Sequence, residues 1–314
     1  MTTLYLVVPC YNEEAVLAET TARLTQKLEA MMGAQLISRE SRILYVNDGS
    51  RDSTWTLIQS YFDTNPYVCG LCLSRNRGHQ NALLAGMQYA MPLCDCMISL
   101  DADLQDDVDA IDRFVEKYHE GCDVVYGVRN RRDTDTFFKR TTARGFYSVM
   151  KLLGVDIVYD HADYRLMSRR ALEALSQYKE VNLFLRGMVP LVGFRSDYVY
   201  YDRNERFAGE SKYPLKKMLS FAVDGITSFS VKPLKIISNL GIVVSVLSIL
   251  GLIYALISYF THNAVAGWTA IVCSIWLLGG IQLLCIGIVG EYIGKIYSEV
   301  KARPKYTVDT FLKK

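Results

Sequence analysis

Between Lys235 and Glu291 the chain carries no Lys, Arg, Asp or Glu, and that stretch limits the fold more than any other feature. A helix that crosses a bilayer needs about 20 apolar residues. The charge-free stretch is too long for one crossing and about right for two. It breaks at Thr261-His262-Asn263, with Gly267 just beyond, which divides it into spans near 237–260 and 268–290. A helical hairpin inside a soluble core would usually keep charge on one face, and neither half does. Lys232 and Lys235 precede the first span, Lys295, Lys301, Arg303 and Lys305 follow the second, and the connecting loop has no Lys or Arg. The positive-inside rule then puts both ends in the cytoplasm and the loop outside. No basic segment followed by an apolar core and a cleavage site opens the chain. The expectation is a multi-pass protein of the inner or plasma membrane whose residues 1–230 stay in the cytosol.

The cytosolic part divides further. Residues 213–235 read as a juxtamembrane helix with Leu215, Met218, Leu219, Ala222, Val223 and Ile226 on one face, suited to the membrane interface. The domain reading is therefore 1–212 as the cytosolic catalytic domain, 213–235 as the interfacial helix, 236–290 as the two spans and 291–314 as a cytosolic tail. Gly279, Gly280, Gly287, Gly290 and Gly294 permit close helix contact in the membrane, within one chain or in a homo-oligomer. The eight cysteines fit a reducing compartment. The CxxC of Cys69-Gly70-Leu71-Cys72 lies in an apolar strand-like run with no second pair at zinc spacing, so packing is the expected role. The formal net charge of +2 and the lack of a long basic run give no sign of a nucleic-acid partner.

Within residues 1–130 short apolar runs alternate with helical patterns. Strands are expected near 4–8, 42–46, 67–73, 95–100 and 123–127, and helices near 14–32, 53–62, 79–90 and 108–120. That alternation argues for an α/β fold with a mostly parallel sheet. Four successive strands end in polar clusters: Tyr11-Asn12-Glu13, Asp48, Arg75 with Arg77, and Asp101 with Asp103. In such a sheet the carboxyl ends of the strands are where ligands bind. No P-loop or GxGxxG follows the first strand, which argues against a P-loop NTPase or an ordinary dinucleotide dehydrogenase. The fourth cluster, Asp101-Ala102-Asp103-Leu104-Gln105-Asp106, is the most pointed. Residues two apart in extended chain face the same side, so Asp101 and Asp103 converge. Converging carboxylates suit Mg²⁺ or Mn²⁺, although Asp is also favoured ahead of a helix on electrostatic grounds alone.

Val7 to Glu13, Val46-Asn47-Asp48-Gly49-Ser50 and Asp101-Ala102-Asp103 together resemble the motifs of inverting glycosyltransferases of the GT-A fold, family 2. Asp163-Tyr164-Arg165-Leu166-Met167-Ser168-Arg169, Arg206 to Tyr213, Gly290 to Lys295 and Arg303-Pro304-Lys305-Tyr306 narrow the resemblance to polyprenyl-phosphate glycosyltransferases. Bactoprenol glucosyltransferases are the nearer group and dolichol-phosphate mannose synthases the more distant one. The resemblance covers nearly the whole chain. It implies a Rossmann-like GT-A domain before a two-helix membrane hairpin, and transfer of a sugar from a nucleotide-sugar, UDP-glucose first, to undecaprenyl or another polyprenyl phosphate. UDP-GlcNAc, UDP-galactose and an aminosugar nucleotide remain as donors. A processive polymer synthase would need a QxxRW-type motif and more spans, and an inactive adaptor would not keep Asp48, Asp101, Asp103 and Lys212.

By the same resemblance, Pro9, Tyr11, Asn12, Glu13, Asp48, Asp101, Asp103, Arg206, Ser211 and Lys212 would bind the donor. Asp101, Asp103 and Gln105 would hold Mg²⁺ or Mn²⁺. Arg129, Arg144 and Ser148 would hold the lipid phosphate, with Arg131 and Arg140 as alternatives. Asp103 and Asp163 would be catalytic, Asp163 as a base or as a group orienting Arg165 or a sugar hydroxyl. A lipid-linked sugar made inside and used outside implies a flippase and an external transferase as partners.

Overall fold

The computed structural model describes residues 1–130, 161–181, 183–202, 230, 232–260 and 267–314. These fall into two compact units: one holds the sheet, its helices and Arg303–Lys314, and the other holds the described residues from 230 to Ala302.

The sheet is built around β1 (Leu4–Cys10), which is buried along its whole length, as expected of a parallel strand covered on both faces. It pairs in parallel with β2 (Arg42–Asn47) on one side and β4 (Cys96–Ser99) on the other, and β2 pairs in parallel with β3 (Val68–Leu73). Proline is awkward in a central strand because it has no N–H to donate. Pro9 escapes the penalty because the β4 ladder stops at Val7↔Ser99, so the missing donor falls beyond it. The connecting helices are α1 (Leu17–Gly33), α2 (Thr54–Thr64), α3 (His79–Ala90) and α4 (Ala110–His119). Leu24 and Leu28 of α1, with Phe114 of α4, share one buried cluster with Leu6, Val8, Tyr45 and Ile98. On the opposite face α3 lies so close to the sheet that a Cβ on Gly86 would sit 2.4 Å from Val7 Cγ1 and 2.8 Å from Val46 Cγ2.

The strand β5 (Val124–Arg129) is followed among the described residues by β6 (His161–Ser168), α5 (Arg169–Ser176), α6 (Leu185–Leu191) and β7 (Ser196–Tyr201). β6 inserts antiparallel between β5 and β4, and β7 pairs in parallel with β5 at the sheet edge. The order is β7-β5-β6-β4-β1-β2-β3-β8. The last strand, β8 (Val308–Leu312), lies within the segment 291–314 that the sequence reading takes as a cytosolic tail. It pairs antiparallel with β3; Phe311 packs edge-on against Tyr89 at 5.1 Å, and the Lys314 ammonium donates to the Asn65 carbonyl at 2.9 Å. An antiparallel strand closing the edge of a parallel sheet is a common arrangement. Cys69 and Cys72 are buried free thiols in β3, consistent with packing.

The second unit contains two long helices, α7 (Lys232–Phe260) and α8 (Trp268–Lys301), where the sequence places the two spans. The 34 residues of α8 extend about 50 Å at 1.5 Å each, longer than a hydrocarbon core of about 30 Å. The helix therefore runs past the expected end at 290 and carries Glu291, Lys295 and Lys301 on its last turns. Among the described residues, Leu278–Lys301 is long and apolar enough to cross a membrane, with a mean hydropathy of 1.3 and none of it buried. The Tyr292 hydroxyl donates to the Ser230 carbonyl at 2.6 Å. A Cβ at Gly279, Gly280, Gly287, Gly290 or Gly294 would meet nothing, so among the described residues these glycines mediate no close helix contact. The expected interfacial helix of 213–235 lies outside the described residues up to 229.

The tight seat of α3 yields a prediction. Gly86→Ala overpacks a filled core and should destabilise the full-length protein by about 1–3 kcal/mol, read as a lowered thermal midpoint in detergent. An unchanged midpoint would contradict the close approach of α3 to β1 and β2.

Candidate active site

All four polar clusters expected at strand ends lie along the carboxyl edge of the adjacent parallel strands β4, β1, β2 and β3. After β1 the loop is laced to the loop after β2. The Asn12 N–H donates to Ser50 Oγ at 3.0 Å, and its Oδ1 accepts from the Arg51 N–H at 2.9 Å. The Glu13 N–H donates to Thr54 Oγ1 at 2.9 Å. Asn12 takes a left-handed φ of 54°, which Asn tolerates better than most residues. Its neighbour Tyr11 is left 41% exposed.

Asp48 is 2% exposed at the end of β2. Its two oxygens accept the N–H groups of Arg77 and Gly78 at 2.7 and 2.8 Å, tying the loop after β3 to β2. Burial raises its pKa, opposed by these two amides. Each oxygen keeps a lone pair for a further donor. The following Gly49 has φ 63°, and a Cβ there would lie 2.6 Å from the Asn76 nitrogen, so this turn requires glycine.

The acidic segment follows β4. Asp103 Oδ1 accepts the Gln105 N–H at 3.2 Å, and Leu104 between them has φ 56°; the side chain thus closes a local turn. Asp101 is half-buried and its pKa is pushed up to about 6, first by burial and then by Asp106, Asp163 and Asp103, with His79 opposing. Asp106 is buried and serves structure: its Oδ1 accepts from the Tyr201 hydroxyl at 2.6 Å and from Arg129 Nη2 at 3.3 Å. Arg129, expected to hold lipid phosphate, is thereby tied into the acidic segment, and its Nε also donates to the Tyr201 hydroxyl at 3.3 Å. An open cleft of about 440 Å³ between α1 and the acidic segment Leu104 to Asp109 touches Asp106 but neither Asp101 nor Asp163, so it stands apart from the carboxylate cluster. Arg144, Ser148, Arg206, Ser211 and Lys212, with the alternatives Arg131 and Arg140, lie outside the described residues.

Strand β6 supplies the remaining member. Its register with β4 ends at Ser99↔Arg165, and continuing it two residues sets Asp163 beside Asp101. Ser99 Oγ donates to the Asp163 carbonyl. The Asp163 carboxylate binds Arg165 and takes a two-pronged contact from Arg186, Nε to Oδ1 at 3.3 Å and Nη2 to Oδ2 at 3.0 Å. His79, the first residue of α3, puts Nε2 3.6 Å from Asp163 and 3.7 Å from Asp101. Burial works against ionising Asp163, but His79, Arg165 and Arg186 outweigh it and hold the carboxyl well below its usual range. Burial lowers the His79 pKa and the two carboxylates raise it, with a net rise. Arg165 is 0% exposed, and its charge is lowered in affinity for its proton by burial while Asp163 supports it.

The structure brings Asp101 and Asp163 together at His79 and adds Arg186, neither His79 nor Arg186 being among the candidate site residues. Asp103 lies in a turn beyond β4 rather than in extended chain, and among the described residues no three His, Cys, Asp or Glu side chains form a group that could hold a metal. His79 was visible as the next polar residue after Arg75 and Arg77. Arg186 gave one signal: a lone charge in the apolar run Leu183 to Met188.

Residues 5–176 match the family described as glycosyl transferase family 2, and residues 232–296 match the GtrB C-terminal hairpin. The chain is 56% identical over 306 residues to the uncharacterized glycosyltransferase YkoT of Bacillus subtilis, covering 98% of this chain and 91% of that one. It is 40% identical over 307 residues to a prophage bactoprenol glucosyl transferase homolog of Escherichia coli, covering 96% and 97%. The bactoprenol glucosyl transferase of Shigella phage SfII is 39% identical over 307 residues, covering 96% of each chain. Among solved structures, Staphylococcus aureus TarS 1–349 in complex with UDP-GlcNAc aligns with a TM-score of 0.44 at 16% identity, covering 72% of this chain and 66% of that one, a likeness too slight to bear on the site.

The cluster around Asp163 predicts both stability and its pH dependence. Asp163→Asn leaves the buried Arg165 uncompensated, which should cost about 3–5 kcal/mol. Because the folded-state pKa is depressed, the wild-type contribution is fully present above the unfolded value of about 3.9 and is lost as pH falls through the folded value. Denaturation followed from pH 7 downward checks this: the wild type should lose stability only below about pH 4, and the variant should start lower and vary less with pH there. A variant as stable as the wild type at pH 7 would contradict the ion-pair account.

Proposed function

This chain belongs to glycosyl transferase family 2 and carries the GtrB C-terminal hairpin, and from that premise we propose that it transfers glucose from UDP-glucose to undecaprenyl or another polyprenyl phosphate, with inversion, at the cytosolic membrane face. The observation that carries the reading is the meeting of Asp101 and Asp163 at His79 beyond the carboxyl end of β4, in a chain that continues into the hairpin. The relatives named bactoprenol glucosyl transferase over nearly their full length support the acceptor. A water-soluble donor and a lipid acceptor meet where a sheet domain is anchored at a membrane. The topology that follows is two crossings, both termini cytoplasmic, and a product that a flippase and an external transferase would consume.

The acidic segment fits a divalent cation. Asp101 and Asp103 are hard oxygen donors of the kind Mg²⁺ and Mn²⁺ take and Gln105 adds a neutral oxygen; with no third carboxylate, His or Cys grouped to complete a metal site among the described residues, the donor phosphates would supply the remaining ligands. The metal, when bound, supplies positive charge to the leaving diphosphate. The chain's own residues do the rest. Exposed Tyr11 offers a ring to the nucleobase, and Pro9, Asn12 and Glu13 shape that wall. Asp48 offers its remaining lone pairs to a nucleoside N–H. Arg206, Ser211 and Lys212 are proposed to cover the donor phosphates. Arg129, Arg144 and Ser148 are proposed for the lipid phosphate, Arg129 from its anchorage on Asp106.

In the reaction, an oxygen of the lipid phosphate forms a bond to the anomeric carbon while that carbon's bond to the diphosphate oxygen breaks, and the electron pair leaves on UDP. The attacking group needs no base: a phosphate monoester with a second pKa of about 6 is already mostly dianionic at pH 7. Asp163 is unsuited to the role of base in any case, since an efficient general base has a pKa near the working pH and this one is held low. Asp163 orients its arginines.

The test is a panel of nucleotide-sugars incubated with the detergent-solubilised full chain, Mn²⁺ or Mg²⁺ and undecaprenyl phosphate, with the lipid product read by mass. UDP-glucose should give a hexosyl lipid phosphate in preference to UDP-GlcNAc and UDP-galactose. Asp103→Asn should lower turnover by more than about a hundredfold, the scale of losing a main electrostatic group at the reacting centre. No lipid-linked product from any donor, or normal metal-dependent rates in Asp103→Asn, would overturn the proposal.

A further inference from the structure

Two arginines converge on Asp163, and the fold needs one of them there. Arg165 is completely buried, and a charge so placed requires a partner; the single negative charge of Asp163 meets that requirement. Arg186 is then a second cation on the same carboxylate, and its side chain is 37% exposed. Asp163, Arg165 and Arg186 together carry one excess positive charge beside Asp101, which is assigned to the metal.

Arg186 is also held with unusual care. It is the second residue of α6, and the residue before it is fixed from two sides: the Leu185 N–H donates to Gln80 Oε1 of α3 at 3.0 Å, and the Leu185 carbonyl accepts from Arg165 Nη1 at 3.5 Å. Asp163 then takes Nε and Nη2. Among the described residues Nη1 has no partner. A guanidinium clamped along one edge, with its remaining N–H groups presented to a partly open site, is built to receive an oxyanion, and the planar fork of arginine suits phosphate in particular.

We propose that Arg186 is a phosphate-binding residue of the transfer reaction, with Nη1 directed at a phosphate oxygen and Asp163 and Gln80 as its positioning residues. This rests on the reading of the chain as a nucleotide-sugar-dependent transferase. The oxygen belongs either to the donor diphosphate or to the acceptor monophosphate; the chemistry recognised is the same.

The experiment compares wild type, Arg186→Lys and Arg186→Gln as full-length protein in detergent, measuring UDP affinity by calorimetry with Mn²⁺, KM and kcat for UDP-glucose and undecaprenyl phosphate, and the thermal midpoint. Arg186→Gln should lower kcat/KM by about tenfold to a hundredfold, as for loss of a hydrogen bond to a charged group, and Arg186→Lys should recover part of it by keeping the charge. Weaker UDP binding assigns the donor diphosphate; a raised KM for undecaprenyl phosphate with unchanged UDP affinity assigns the acceptor. Values within about twofold of wild type in an active enzyme, or equal losses in both variants that track the thermal midpoint, would overturn the inference while leaving the transferase reading intact. A wild-type protein that neither binds UDP nor forms a lipid product would overturn both.

Discussion

The Asp163 carboxylate is the interaction on which the rest of the site depends. It is the counter-charge for a fully buried arginine, the clamp for a partly exposed one, and a neighbour of His79 at the start of α3. Through those three contacts it ties β6, α6 and α3 to the end of β4, where Asp101 lies. An uncompensated buried guanidinium is expensive, so the fold favours the ionised form of Asp163. In the fold it is the shared carboxylate of Arg165 and Arg186.

The carboxyl edge of the sheet shows a second division of labour. Asn12 and Asp48 look from sequence like ligand-binding residues, yet each makes bonds that hold neighbouring loops together, as Asp106 does for the acidic segment. Asp101 and Asp103 sit among these braces half-buried, more open than the buried Asp48 and Asp106. Preorganisation of this kind lets a polar site keep its geometry before a ligand arrives. It also puts Arg129 in a double position, braced on Asp106 while facing the same edge.

Much of the sheet domain was legible because the physics was local. Uninterrupted apolar runs give β1 to β4 within a few residues, and polar strand ends give the binding edge. What was not legible depended on distant partners. In β6, His161 to Ser168, the buried Arg165 breaks any apolar alternation, and its burial makes sense only once Asp163 is seen beside it. Val308–Leu312 is too short to read as a strand until the free edge of β3 is known to need covering. Arg186 is a single charge in an apolar run, and nothing local says which carboxylate it meets. The two long helices were legible from the absence of charge, but the end of α8 was not, since a helix does not stop where hydropathy does.

The central claim is that the carboxylate edge of a family 2 domain, joined to a membrane hairpin, moves a sugar onto a phosphate held by a lipid. The most direct measurement is release of UDP from UDP-glucose by the detergent-solubilised full chain, with undecaprenyl phosphate, with undecaprenol lacking the phosphate, and with no lipid. The account predicts release with undecaprenyl phosphate and background rates in the other two. Equal release with undecaprenol, or a rate indifferent to lipid, would contradict it.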